Sequence, residues 1–191
     1  MTIRLQELDE SLFLLLNNLT SDISNHFWAL VTKPLFWSPL FVLFFVLFFV
    51  TFKRKTALIY SAGIITSFWG VYAITYIVKV IVERPRPLFN EQLIQQVNVL
   101  YEPTGFSFFS GHASTSTAAA IFFYMVFRTK SQWAKLVFLF PLIFATSRIF
   151  VGVHYPSDIL VGGTVGLIFG SICYTVFQKL NEKYTEDKLN S

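Results

Sequence analysis

The run PLFWSPLFVLFFVLFFVTFKRK, residues 34–55, holds no ionisable side chain from Pro34 to Phe52 and then ends in Lys53-Arg54-Lys55. About 20 apolar residues cross a bilayer core as a helix, so Pro34 to Phe52 is read as a span and the cations after it as its anchor. Outward from there the pattern repeats. Further spans are predicted for Thr56 to about Val82, Gly111 to Phe127, Ala134 to Val151 with a kink at Pro141, and Ile159 to Phe177. The fold class is therefore all-α: an integral membrane bundle of about five spans over residues 34–182, with a tail at 183–191. Hydrophobic residues make up 54 % of the chain against 14 % charged, which excludes an ordinary soluble domain. Ahead of the bundle, residues 1–33 hold an amphipathic segment (Ile3, Leu5, Leu8, Leu12 and Leu15 against Arg4, Glu7, Asp9 and Glu10). A short aromatic segment, Asp22 to Thr32, follows it. The first is expected to lie in the interface or against the bundle, and the second at a membrane boundary, His26 included. The acidic start and the short run Leu12 to Leu16 do not suggest a secretory leader.

The charges orient the bundle. With alternating spans, Lys53 to Lys55, Arg128, Lys130, Lys135 and lysines 179, 183 and 188 share one side, the cytoplasmic one by the positive-inside rule. The loop from Glu83 to Phe109 then lies outside. The net charge of +4 is accounted for by topology, and no nucleic-acid partner is expected. Gly162, Gly166 and Gly170 form a small-residue stripe that predicts close helix packing. Cys173 is the lone cysteine, so no intrachain disulfide can form.

On the predicted outer side, three polar clusters reach one depth: Lys79 to Pro87, Phe109-Ser110-Gly111-His112, and Ser147 to Asp158. Ionisable groups at a membrane are costly and default to a functional reading. His154 and Asp158, four apart, allow the carboxylate to hold one ring nitrogen and free the other to attack. Arginines supply planar donors for phosphate, and Ser110 with the start of the third span offers an anion site. Two histidines, a paired carboxylate and fixed cations suit phosphoryl transfer.

In order and spacing, Lys79-x6-Arg86-Pro87, Ser110-Gly111-His112 and Ser147-Arg148-x5-His154-x3-Asp158 resemble the three-part signature of the type 2 phosphatidic acid phosphatase (PAP2) superfamily. That family usually has proline before Ser-Gly-His, where this chain has Phe109; a proline there would stiffen the turn without doing chemistry. Arg84-Pro85 duplicates the basic-Pro pattern, but Arg86 has the family spacing. The resemblance implies that His154 is the nucleophile, oriented by Asp158, and that His112 is the general acid and then the base. It implies phosphate binding by Lys79, Arg86, Ser110, Gly111 and Arg148, with no metal and no cofactor. The residues agree, because arginines around His112 and His154 would repel a cation. The implied activity is removal of phosphate from a lipid phosphate or diphosphate at the outer face of a bacterial inner membrane. The partners are then the substrate and the surrounding membrane lipids. Undecaprenyl diphosphate leads, with lipid A and phosphatidylglycerophosphate phosphatases as close alternatives. A lipid phosphotransferase would use the same site. A transporter or scaffold would need charge spread along the spans, whereas here it gathers at one end. A soluble haloperoxidase reading is remote for so apolar a chain.

Overall fold

The computed structural model describes residues 2–189, so Met1, Asn190 and Ser191 of the expected 1–33 and 183–191 segments lie outside the described residues. Its helices are α1 (Thr2–Asn17), α2 (Asp22–Val31), α3 (Ser38–Thr51), α4 (Arg54–Val82), α5 (Gly111–Phe127), α6 (Leu139–Phe150) and α7 (Pro156–Leu189). Among the described residues there is no strand. Four helical segments are long and apolar enough to cross a membrane: Pro34–Thr51, Arg54–Phe89, Gln132–Phe150 and Pro156–Thr185. The fifth expected span is α5, whose 17 residues sit at the centre of the bundle with most of their side chains buried.

Local chemistry sets the boundaries. Pro39 falls in the first turn of α3, where its missing N–H is no loss. The 29 residues of α4 reach about 44 Å at about 1.5 Å each, longer than the roughly 30 Å hydrocarbon core. Glu83 closes α4 in the left-handed region at φ 49°. The Arg84-Pro85-Arg86-Pro87 run that follows cannot resume a helix, since a residue before proline is pushed to extended backbone. The expected kink at Pro141 is corrected. The segment Gln132–Phe138 is a 3-10 helix, and Pro141 lies in the first turn of α6, where it interrupts no hydrogen-bond ladder. The charged segment after 182 continues α7.

Close packing of α5 on α7 holds the site. A Cβ at Gly162 would meet the Ser110 carbonyl oxygen at 2.6 Å; at Gly166 it would strike that of Ser114, and at Gly170 that of Ala118. Glycines every four residues thus face carbonyls every four residues, and the row Ala113-Ser114-Thr115-Ser116-Thr117-Ala118 keeps α5 slim on its own side. Toward the expected cytoplasmic half, Phe44, Phe48, Phe122, Phe123 and Phe127 fill the core, with Phe44 and Phe123 stacked at 4.3 Å. At the other end α1 is pinned by Phe13 against Tyr155, Leu93 and Ile149. Trp28 of α2 stacks on Phe150 at 4.2 Å. Leu35, Val50, Ile81 and Leu160 point outward from the bundle, an apolar belt suited to lipid.

Candidate active site

The first polar cluster enters from the C-terminus of α4. Lys79 Nζ donates to the carbonyls of Phe106 (2.6 Å) and Ser107 (2.9 Å). Arg86 donates from Nε to Gly105 O at 2.9 Å and from Nη2 to Thr104 O at 3.2 Å. Both cations therefore grip the loop Thr104–Ser107, and Gly105 makes its turn at φ 73°. The second cluster opens α5. Ser110 is fully buried; its Oγ accepts from Ala113 N and its N–H donates to Asp158 O at 3.1 Å, which ties it to the third cluster. A Cβ on Gly111 would meet only Thr75 Cγ2, at 3.7 Å, so packing does not demand glycine there. The His112 ring lies 4.3 Å from that of Phe144, and its Nε2–H donates to Thr32 O at 3.2 Å.

The third cluster is the turn from α6 into α7. Gly152, at φ 84°, reverses the chain where a Cβ would stand 2.7 Å from Asn98 O. The N–H groups of Val153 and His154 then return to Arg148 O. Arg148, 4 % exposed, donates from Nη1 to Thr32 Oγ1 at 2.6 Å; its Nε is buried without a hydrogen-bond partner among the described residues. Thr32 thus touches both His112 and Arg148. His154 Nδ1–H donates to Asp158 Oδ2 at 3.2 Å, which leaves the lone pair on Nε2, where Arg86 Nη1 donates at 3.2 Å. Burial pushes the pKa of His154 down to about 3, with Arg86 and Arg148 adding to the effect and Asp158 opposing it. The imidazole is therefore neutral at ordinary pH. His112, His154, Arg86 and Arg148 stand close enough for each histidine to feel both arginines.

All eight sequence-selected residues thus lie at one end of the bundle, from Lys79 on the loop to His112 and Arg148 around Thr32. Sequence reasoning missed four neighbours. Ser107 Oγ donates to Asp158 Oδ2 and lies 3.4 Å from His154 Nδ1. Arg84, set aside as a duplicate of Arg86, donates to Asp158 Oδ1 at 2.8 Å and to Asp9 Oδ2 at 2.7 Å. Asp9 and Thr32 come from segments ahead of the bundle to which the sequence reading gave no part in the catalytic site. Arg84 alone had a visible signal, the doubled basic-Pro pair.

The sequence profile of the PAP2 superfamily matches residues 56–182, which include every one of these motifs. The chain belongs to the PAP2 superfamily. The chain is similar to a lipid A 4'-phosphatase of Bacteroides thetaiotaomicron, 27 % identical over 96 % of this chain and 83 % of the relative. A decaprenylphosphoryl-5-phosphoribose phosphatase of Mycobacterium tuberculosis is 36 % identical over 65 % of this chain and 63 % of the relative. The transmembrane PAP2 type phosphatidylglycerolphosphate phosphatase of Bacillus subtilis shares the fold, with a TM-score of 0.71 at 21 % identity, covering 94 % of this chain and 87 % of that one. This PAP2 protein is a membrane lipid phosphatase.

Proposed function

We propose that the protein removes a phosphate monoester from the headgroup of a lipid A-type substrate at the outer face of the inner membrane, through a phosphohistidine on His154. The observation that carries the reading is an apolar cavity of about 410 Å³ that begins at Gly111 and His112 and runs between α3, α4, α5 and α6, lined by Phe41, Phe68, Trp69 and Phe140. A cavity with a polar head at His112 and an aromatic body below fits a molecule with a phosphate at one end and hydrocarbon at the other. Lipid A ranks ahead of undecaprenyl diphosphate because relatives that span nearly the whole chain carry that activity.

In this reading the Nε2 lone pair of His154 attacks phosphorus and the bond from phosphorus to the leaving oxygen breaks. His112, entering the step as the imidazolium, keeps Nε2–H on Thr32 O and gives its second ring proton to the leaving oxygen, which leaves the neutral ring. Water, deprotonated by His112, then breaks the N–P bond and releases phosphate. Arg86 stands where Nε2 would meet phosphorus and turns its donors to the equatorial oxygens. Arg148 offers its unpaired Nε, Lys79 adds charge, and Gly111 with the N-terminus of α5 lets a phosphoryl oxygen approach backbone N–H groups. Asp158 keeps Nδ1 protonated and offsets the positive charge that the ring gains.

The test is phosphate release by purified protein from lipid A, phosphatidylglycerophosphate and undecaprenyl diphosphate, compared side by side. Lipid A is expected to be turned over fastest, His154→Ala to lose at least 10³-fold, on the order of a removed nucleophile, and EDTA to leave wild-type activity intact. Full activity in His154→Ala would overturn the assignment, and a preference for another of the three would move the substrate.

A further inference from the structure

The three family motifs leave one charged contact unexplained. Arg84 stacks its guanidinium on the Tyr155 ring at 3.9 Å, and Nη1 donates to both Ser157 Oγ and Asp158 Oδ1 at 2.8 Å. Its Nη2 donates to Asp9 Oδ2 at 2.7 Å. The carboxylate of Asp9 comes from α1, the amphipathic helix that precedes the bundle. Asp9 Oδ1 also accepts from Ser157 N at 2.9 Å, capping the first turn of α7 from a distant element, and Oδ2 accepts from Ser157 Oγ. One cation thus stands between two carboxylates, Asp158 at 0 % side-chain exposure and Asp9 at 11 %.

We propose that Asp9 is a positioning residue of the reaction centre: its carboxylate balances Arg84, so that Asp158 keeps its negative charge for His154. The proposal rests on the phosphohistidine reading above. The charge count gives the reason. With Asp9 present, Arg84, Asp9 and Asp158 sum to minus one, and a ring that becomes positive as the N–P bond forms meets a net negative partner. Without Asp9 the same group sums to zero, and Arg84 is left to neutralise Asp158 alone. The transition state then loses stabilisation that the neutral ground-state ring did not need, so the loss falls on kcat. The pair is only partly screened, because Asp158 and the His154 ring are enclosed.

A second contact shows that α1 is held firmly enough for this task. Asn17, fully buried at the end of α1, donates from Nδ2 to Ile149 O at 3.0 Å and Phe150 O at 3.2 Å, the last carbonyls of the helix that carries Arg148. Its Oδ1 accepts from Asn98 N at 2.7 Å. The helix is thereby fastened to the walls of the site at its middle and at its C-terminal end.

The experiment measures kcat and KM on lipid A in detergent micelles for the wild type, Asp9→Asn, Asp9→Glu, Arg84→Gln and the double variant Asp9→Asn/Arg84→Gln, with His154→Ala as the control for the parent reading. Asp9→Asn keeps the size and an acceptor for Ser157 N, so a thermal scan of each variant is expected to match the wild type. The expected result is about a tenfold fall in kcat for Asp9→Asn with KM unchanged, partial recovery in Asp9→Glu, and a double variant no slower than Arg84→Gln alone. A wild-type kcat in Asp9→Asn, a loss carried by KM, or losses that simply multiply in the double variant would overturn the proposal. If His154→Ala stays active, it is the phosphohistidine reading that fails instead.

Discussion

At the scale of the residue, His154 shows how burial holds an imidazole neutral, the form the proposed nucleophile needs. Its ring is enclosed, its Nδ1–H is taken by Asp158, and its pKa is pushed down to about 3. An unfolded chain binds a proton at the ordinary histidine pKa of about 6.5, which the folded chain refuses. The contribution of His154 to stability is therefore fully present above pH 6.5 and declines as the pH falls from there toward 3, by up to about 1.4 kcal/mol per pH unit for one proton. Thermal unfolding in detergent is expected to show this decline, and His154→Gln to flatten it. An identical pH dependence in the variant would place the titration elsewhere. Arg84 and Arg86 make a different point. Two residues apart in one Arg-Pro-Arg-Pro run, they reach opposite sides of the His154–Asp158 pair, because the extended backbone before each proline projects them separately.

Helix α7 carries the heaviest constraint among the elements. Its glycines let α5 approach until backbone faces backbone, and this contact brings Ser110 N within 3.1 Å of Asp158 O and so joins the second and third motifs. Gly166→Ala would drive a methyl group into Ser114 O, an overpacking that costs about 1–3 kcal/mol. The expected outcome is a lower unfolding temperature and weaker turnover. Gly163→Ala, whose Cβ would meet only Thr117 Oγ1 at 3.8 Å, serves as the silent control. Equal effects from the two substitutions would refute the packing argument. The amphipathic pattern of α1 was legible as an interfacial helix. What it supplies to the site was not, since an aspartate on the polar face of such a helix looks the same whether it meets water or Arg84.

For the whole molecule, the chemistry gathers at one end of a bundle whose other end carries Lys53, Arg54, Lys55, Arg128 and Lys130. We infer that the catalytic end faces outward, by the positive-inside rule. With Cys173 replaced by serine, a single cysteine at Glu102 in intact cells is expected to react with a membrane-impermeant maleimide, and one at Lys130 only after lysis. The reverse pattern would invert the topology. In the proposed reading, the apolar belt, the long α4 and the cavity that starts at His112 make the bundle a wall through which a lipid presents its head to water.

The run of apolar residues around 34–52, the cation clusters and the three spaced motifs were enough to determine an all-helical membrane bundle and its family, and to nominate the eight residues of the candidate site. Each of those is a local property: hydropathy over one bilayer thickness, or spacing within one turn. The tertiary structure alone decided that Asp9, Thr32, Arg84 and Ser107 join them, that Lys79 and Arg86 grip the Thr104–Ser107 loop, and that α5 is the enclosed helix. Those contacts link positions as far apart as Asp9 and Ser157. They depend on which helix faces pack together, and no spacing along the chain records that.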